Sequence, residues 1–134
     1  MSKTLNLKDM NIAVQVAQVI VAVVLFSVWI VRPRLQTPYR GGDAKNLKEE
    51  FAAYGLPNWF MILIGTLKVS AGILLIIGLW FPVVASYTAI GVAILMAGAI
   101  SMHIKVKDPA VKSFPALTLL ILSLLIYFLP IINI

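Results

Sequence analysis

The sequence predicts an all-α integral membrane protein, a four-helix bundle with a short amphipathic interfacial helix between its first and second spans. Three observations carry that prediction. Of the 134 residues, 61% are hydrophobic and only 12% are charged, against roughly 45–50% and about 25% in soluble domains. The mean hydropathy is +1.00, and a chain this short cannot hide so much apolar surface in its own interior. The charges also fall in blocks: Lys3, Lys8 and Asp9; then Arg32, Arg34, Arg40, Asp43, Lys45, Lys48, Glu49 and Glu50; then Lys105, Lys107, Asp108 and Lys112. Lys68 stands alone. The stretches between blocks are close to the ~20 apolar residues that carry a helix across ~30 Å of hydrocarbon. They are too long for barrel strands and lack the alternation of strands.

The elements follow in order within one transmembrane domain, residues 1–134. The first span is read over residues 10–31. Its apolar run exceeds the ~7–15 residues of a signal-peptide core, and Arg32-Pro33-Arg34 stands where small residues would precede a cleavage site, so the span is expected to be retained. The segment 32–58 is too long for a plain connector. Arg40-Gly41-Gly42 reads as a turn and Asp43 as the N-cap of a helix over 44–54. Leu47, Phe51 and Tyr54 recur at i, i+4 and i+7, with Lys45, Lys48, Glu49 and Glu50 elsewhere around the wheel. Gly55 fits the position after the C-cap, and Pro57 forbids continuation. Such a helix lies at the interface or folds over the bundle mouth. It either anchors the loop or serves as a lid or docking surface through Leu47, Phe51 and Tyr54.

The second span is read over 59–81 and the third over 83–104, with Pro82 making a tight hairpin between them. The fourth is read over 114–133. Pro115 opens it where a missing N–H does little harm, and Pro130 is expected to end or kink it. Small residues should set the packing, because helices in lipid associate by close approach. Ala85, Ala89, Ala93, Ala97 and Ser101 recur at every fourth position of the third span, and Gly65, Ala71 and Gly72 lie in the second. The simplest pairing puts these two spans against each other, with association between copies as the other use. Trp29, Trp59 and Trp80 near span ends read as interfacial anchors. The loops after spans one and three carry five and three Lys or Arg, against Lys3 and Lys8 on the other side. The positive-inside rule then puts both termini outside.

Lys68 calls for an explanation. It is the one Asp, Glu, Lys or Arg in the interior of any predicted span, where an ammonium costs roughly 2.5–3.5 kcal/mol on insertion scales. It can snorkel, lose its proton, pair with an acid from a loop or another chain, or bind an acceptor-rich ligand. Asn11, Gln15, Gln18 and Ala22 share a face of the first span, Ser123 and Tyr127 lie one turn apart in the fourth, and Thr66 and Ser70 flank Lys68. With alternating helix directions, Gln18, Lys68 and Ser123 fall at similar depths. The expected ligand site is therefore Lys68 with Gln15, Gln18, Ser70, Ser123 and Tyr127, completed by a quinone carbonyl or a small anion. The plain alternative is that these groups only glue helices together. His103, beside Lys105 and Lys107, reads as an interfacial histidine near a helix C-terminus.

Several chemistries are excluded. With no Cys there are no disulfides, thiolate metal sites or thiol nucleophiles, and one His rules out the common multi-His zinc sites. The net charge of +6 sits in loops and is not a nucleic-acid signal. There is no nucleophile with a local base, no phosphate-cradling glycine loop, no paired carboxylate in a pocket and no haem ligand pair.

Residues 51–103 carry a family resemblance. Gly55-Leu56-Pro57, Gly65, Ala71-Gly72, Leu75, Gly78-Leu79, Pro82, Gly98-Ala99-Ile100 and His103 stand in an order and spacing that resembles the DoxX-like family of small bacterial membrane proteins. The resemblance implies four helices in the bacterial cytoplasmic membrane and an accessory role, in some members beside redox complexes that use quinone. Many members carry an acid where this chain has Lys68. In Gly65-Thr66-Leu67-Lys68 the sign is reversed, which argues for an anionic or carbonyl partner. The functional expectation is a non-catalytic membrane subunit that binds a small hydrophobic or quinone-like molecule non-covalently, or a partner protein. Its partners would be the bilayer, such a small molecule, and a membrane protein or a second copy, with no nucleic acid. The alternatives are an assembly factor without a ligand and a small-solute or proton transporter working through Lys68.

Overall fold

A computed structural model describes residues 7–31, 33–34 and 36–132. Lys3, Arg32 and residue 133, which entered the charge tally and the fourth span, lie outside the described residues. Among the described residues five α-helices follow one another: α1 (Leu7–Phe26), α2 (Leu47–Ala53), α3 (Asn58–Ile77), α4 (Pro82–Lys105) and α5 (Phe114–Ile132). A π-helical turn, Ser27–Val31, extends α1, and a 3₁₀ turn, Ala110–Ser113, leads into α5. Among the described residues there is no strand. Four segments, Lys8–Val31, Asn58–Ile77, Pro82–Lys105 and Ala110–Ile132, are long and apolar enough to cross a bilayer. The protein is an all-helical, multi-pass membrane protein. A helix closes its backbone hydrogen bonds within one segment, which lipid requires.

The spans form a ring. α1 packs on α3 and α5, and α4 packs on the same two helices, so each helix runs antiparallel to both neighbours. Val21, Leu75, Val92 and Ile126, one from each span, are fully buried at its centre. Proline and glycine set the ends. Pro57 precedes α3, Gly78 caps its C-terminus, and Pro82 occupies the first turn of α4. The second span therefore stops at Ile77 rather than 81, because residues 78–81 form the turn. Pro130 does not end the last helix, which runs on to Ile132.

The small-residue stripes pack differently from the expectation. Ala85 and Ala89 are buried, Ala93 is half-buried and Ala97 exposed. Strict four-residue spacing precesses about 40° per step on a helix of 3.6 residues per turn, so Ala97 stands about 120° round from Ala85. The buried stripe of α4 is Ala85, Ala89, Val92 and Met96. The glycines of α3 serve α1 rather than α4. A Cβ on Gly65 would lie 2.5 Å from the Trp29 ring, and one on Gly72 would lie 2.6 Å from the Phe26 ring. α3 and α4 touch closely at their hairpin, where a Cβ on Gly78 would meet Ala85 at 2.6 Å. Further along α4, a Cβ on Gly91 or Gly98 would meet nothing within 4 Å. The helix face is open there.

Candidate functional site

The loop end of the bundle is closed by α2, and its caps explain its position. Asn46 is extended (φ −157°, ψ 174°), and its side-chain oxygen accepts from Glu49 N at 2.8 Å. Asp43 is not the cap, and the helix starts at Leu47 rather than 44. In a longer helix the Leu47 amide would bond to the Asp43 carbonyl, but it donates to Pro33 O at 2.8 Å instead. At the other end Gly55 takes φ +79°. Leu56 N donates to Phe51 O at 2.9 Å and Gly55 N to Ala52 O at 3.0 Å, a Schellman motif that turns the chain into Pro57.

Leu47, Glu50, Phe51 and Tyr54 are the buried face of α2. The sequence reading left Glu50 off this face, although its spacing to Leu47 and Tyr54 (three and four) marks it. Glu50 takes three donors: Gly41 N at 2.7 Å, the Tyr54 hydroxyl at 2.8 Å and Arg40 Nη1 at 3.2 Å. Arg40 and Glu50 keep side-chain exposures of only 6% and 12%. Burial, and next the charge of Glu50 and the hydrogen bond to it, push the Tyr54 phenol far above its ordinary range, so it stays a donor.

A second cluster ties this loop to the α4–α5 connection. Lys107 takes φ +60°, Lys107 N donates to Ile104 O and Asp108 N to His103 O. This second Schellman turn folds the Asp108 side chain back, with Oδ2 at 2.7 Å from His103 Nδ1. Asp108 also accepts from Gly42 N at 3.0 Å and faces Lys112 at 3.6 Å. Burial pushes the Asp108 carboxyl up, but the His103 and Gly42 hydrogen bonds and the Lys112 charge outweigh it and hold it below the usual range. Because an ionised carboxylate only accepts, His103 Nδ1 is the protonated ring nitrogen. Lys112 Nζ donates to Gly42 O at 2.6 Å and Lys105 Nζ to Tyr54 O at 2.7 Å. Both basic loops therefore meet at one end of the molecule, and α2 is latched across it.

Beneath α2 lies a cavity of about 380 Å³ lined by residues of all four spans, with Leu25, Met96 and Leu119 on its walls. Leu47, Phe51 and Tyr54 line it from the α2 side, and Lys68 and Trp29 from the span side. A helical side chain leans toward its own N-terminus, so Lys68 on α3 reaches toward α2. Its ammonium sits 5.4 Å from the centroid of the Trp29 ring, close enough for a cation–π attraction. Trp29 in turn meets Phe51 edge-on at 5.8 Å. Trp29 is thus an inward-facing wall residue and not an interfacial anchor, because Gly65 leaves room for its ring. Trp59 and Trp80 are exposed at span ends.

The other residues expected around Lys68 lie elsewhere. Gln18 Nε2 donates to Leu75 O at 2.9 Å, which levels it with a residue seven positions beyond Lys68, about 10 Å along the axis at 1.5 Å per residue. Gln15 is exposed, about 60° round α1 from Gln18. Ser70 is exposed too, about 160° round α3 from Lys68, and Thr66 donates to its own helix at Ile62 O. Ser123 is buried, one turn beyond Leu119, and its hydroxyl has no hydrogen-bond partner among the described residues. Tyr127 packs edge-on against Phe128 at 4.8 Å. The polar surroundings come instead from Arg40, Glu50, His103 and Lys112, all lining the cavity. His103 is buried beneath α2, edge-on to Tyr54 at 5.9 Å. Among the described residues no cluster of His, Asp and Glu could hold a metal ion.

Four apolar spans, a latched interfacial helix and a partly open, largely apolar chamber define a small multi-pass membrane protein with an internal cavity at one end. Residues 40–125 match the family model of the DoxX-like family, and the chain belongs to that family. The match takes in the latch, Lys68 and most of α5, while Trp29 lies before it. Among curated proteins and solved structures nothing matches the chain.

Proposed function

We propose that this protein is a non-catalytic membrane subunit that holds a small hydrophobic molecule carrying a hydrogen-bond acceptor, of the quinone-like kind, non-covalently beneath α2. One observation carries the reading. The Lys68 ammonium faces an apolar chamber of about 380 Å³ and has no hydrogen-bond or ion-pair partner among the described residues. That volume falls in the ~300–1,000 Å³ range of small-molecule pockets, which are likewise mostly apolar with a few polar groups. The test is mass spectrometry of the lipid-soluble molecules that copurify with gently extracted protein. A bound species should be present in the wild type and lost from Lys68→Met. Unchanged occupancy in Lys68→Met together with raised thermal stability refutes the reading and leaves Lys68 as a destabilising structural charge.

A second reading, docking of a partner helix or a second copy, is favoured by the open faces of Gly91 and Gly98, one heptad apart on α4. Copurification of a second polypeptide, lost on Gly91→Leu, tests it. In the same proposal the basic loops face the cytoplasm of a bacterial inner membrane and both termini face out. The chain has no Cys, so single cysteines placed at Ser2 and Lys107 report the sidedness with an impermeant maleimide.

A further inference from the structure

The charges around the cavity narrow the ligand class. Arg40 is compensated by Glu50 at 3.2 Å and Lys112 by Asp108 at 3.6 Å. Glu50 is already held by three donors, and Lys112 also donates to Gly42 O. Among the described residues Lys68 is then the lining cation without a paired carboxylate, and positive charge is in excess. A neutral acceptor would take a hydrogen bond from it but leave the net charge in a low-dielectric chamber. A monoanion removes it.

The shape adds a second constraint. Ile94 and Gly98 line the cavity, yet Ile94 is 67% exposed on the outer surface, and a Cβ on Gly98 would meet nothing within 4 Å. Phe60 and Ile64 stand on the α3 side of the same chamber. The two helices are in contact at their hairpin, whereas nearer α2 the lining residues Ile94 and Gly98 are open to the outside, so the chamber opens sideways on the α3–α4 side, along spans apolar enough to lie in lipid. A volume of about 380 Å³ lies at the low end of the ~300–1,000 Å³ pocket range, which suits one chain rather than two.

From this charge balance and side opening we infer that the site takes a single-chain carboxylate amphiphile from the bilayer. Its head pairs with Lys68 beside the Trp29 ring, and its tail lies along the apolar walls toward the α3–α4 opening. The inference rests on the cavity reading above and deepens it.

Trp29 provides the readout. Trp59 and Trp80 are 65% and 72% exposed, so Trp59→Phe with Trp80→Phe leaves Trp29 as the sole indole without disturbing the core. This background is titrated in nanodiscs with 2-bromododecanoic acid, whose bromine sits beside the head and so next to Trp29, and, separately, with 2-bromododecan-1-ol, which has the same tail and a neutral head. Unbrominated dodecanoate serves as competitor. The acid should quench Trp29 saturably and competably, and the alcohol at least tenfold more weakly. Lys68→Met should remove that preference and Lys68→Arg keep it. Gly98→Leu, which adds a side chain into open space, should slow quenching by the acid several-fold without changing the fold.

Equal affinity for acid and alcohol, or a preference that survives Lys68→Met, overturns the anion assignment while the cavity reading stands. Saturable quenching at an unchanged rate in Gly98→Leu overturns the side entrance. No competable quenching by either probe overturns both the inference and the reading it rests on.

Discussion

Replacing Glu50 by Gln should release α2 from the bundle without unfolding the spans. Gln has the same shape and keeps one acceptor oxygen for Gly41 N and the Tyr54 hydroxyl. Its amide then turns a donor toward Arg40, so donor faces donor at a site where the Arg40 side chain is only 6% exposed. Breaking a buried ion pair from one side costs about 3–5 kcal/mol. At 1.4 kcal/mol per tenfold, even the lower bound means that α2 opens on the order of 10²-fold more often. Hydrogen exchange followed by mass spectrometry should show amides of residues 47–56 exchanging faster by about that factor, with those of α4 and α5 unchanged. Combining Arg40→Met with Glu50→Gln removes the stranded guanidinium and should restore protection to within about tenfold of wild type, because a buried pair replaced as a whole is close to neutral. A change of less than threefold at α2 in the single variant, or an equal loss across all helices, refutes the latch.

Asp108 predicts a pH response. Its folded value is depressed, so it contributes stability that is present above the ordinary carboxylate value of 3.8 and lost as pH falls from there through the depressed folded value. Protection of residues 40–56 should fall off in that acid window and become less pH-dependent in Asp108→Asn. The packing predicts opposite outcomes for two glycines. Gly78→Ala drives a methyl into the backbone of Ala85, whose Cα and N lie 2.9 Å from the added carbon, and should destabilise by about 1–3 kcal/mol. Gly91→Ala meets nothing and should stabilise by up to about 1 kcal/mol through helix propensity. Thermal unfolding of both variants in one detergent checks the pair.

The spans were legible because hydrocarbon imposes a length and forbids charge, and both constraints act locally along the chain. The α2 region was legible for the same kind of reason. Gly55 and Pro57 end a helix by backbone geometry alone, and Leu47, Phe51 and Tyr54 recur at helical spacing. Lys68 stood out because a mid-span ammonium needs an explanation wherever the neighbouring helices lie.

What surrounds Lys68 depended on the tertiary structure. Depth matching placed Gln18 and Ser123 beside it by counting residues. Helix offset and side-chain lean then put Gln18 against Leu75 and turned Lys68 the other way, toward α2. Rotation about each axis decided the rest: a strict four-residue stripe winds off the contact face, so Ala97 leaves it, and the glycines of α3 receive the rings of α1. The latch pairs Arg40 with Glu50 and brings Gly42 to Asp108, 66 positions apart. No periodicity encodes such pairings, since they follow from which loops meet once four helices close into a ring. Composition and spacing thus determined that the chain crosses a membrane four times with one charge left inside. Only the relative shift and rotation of the helices decided that this charge faces a lidded chamber rather than the polar residues nearest to it in a residue count.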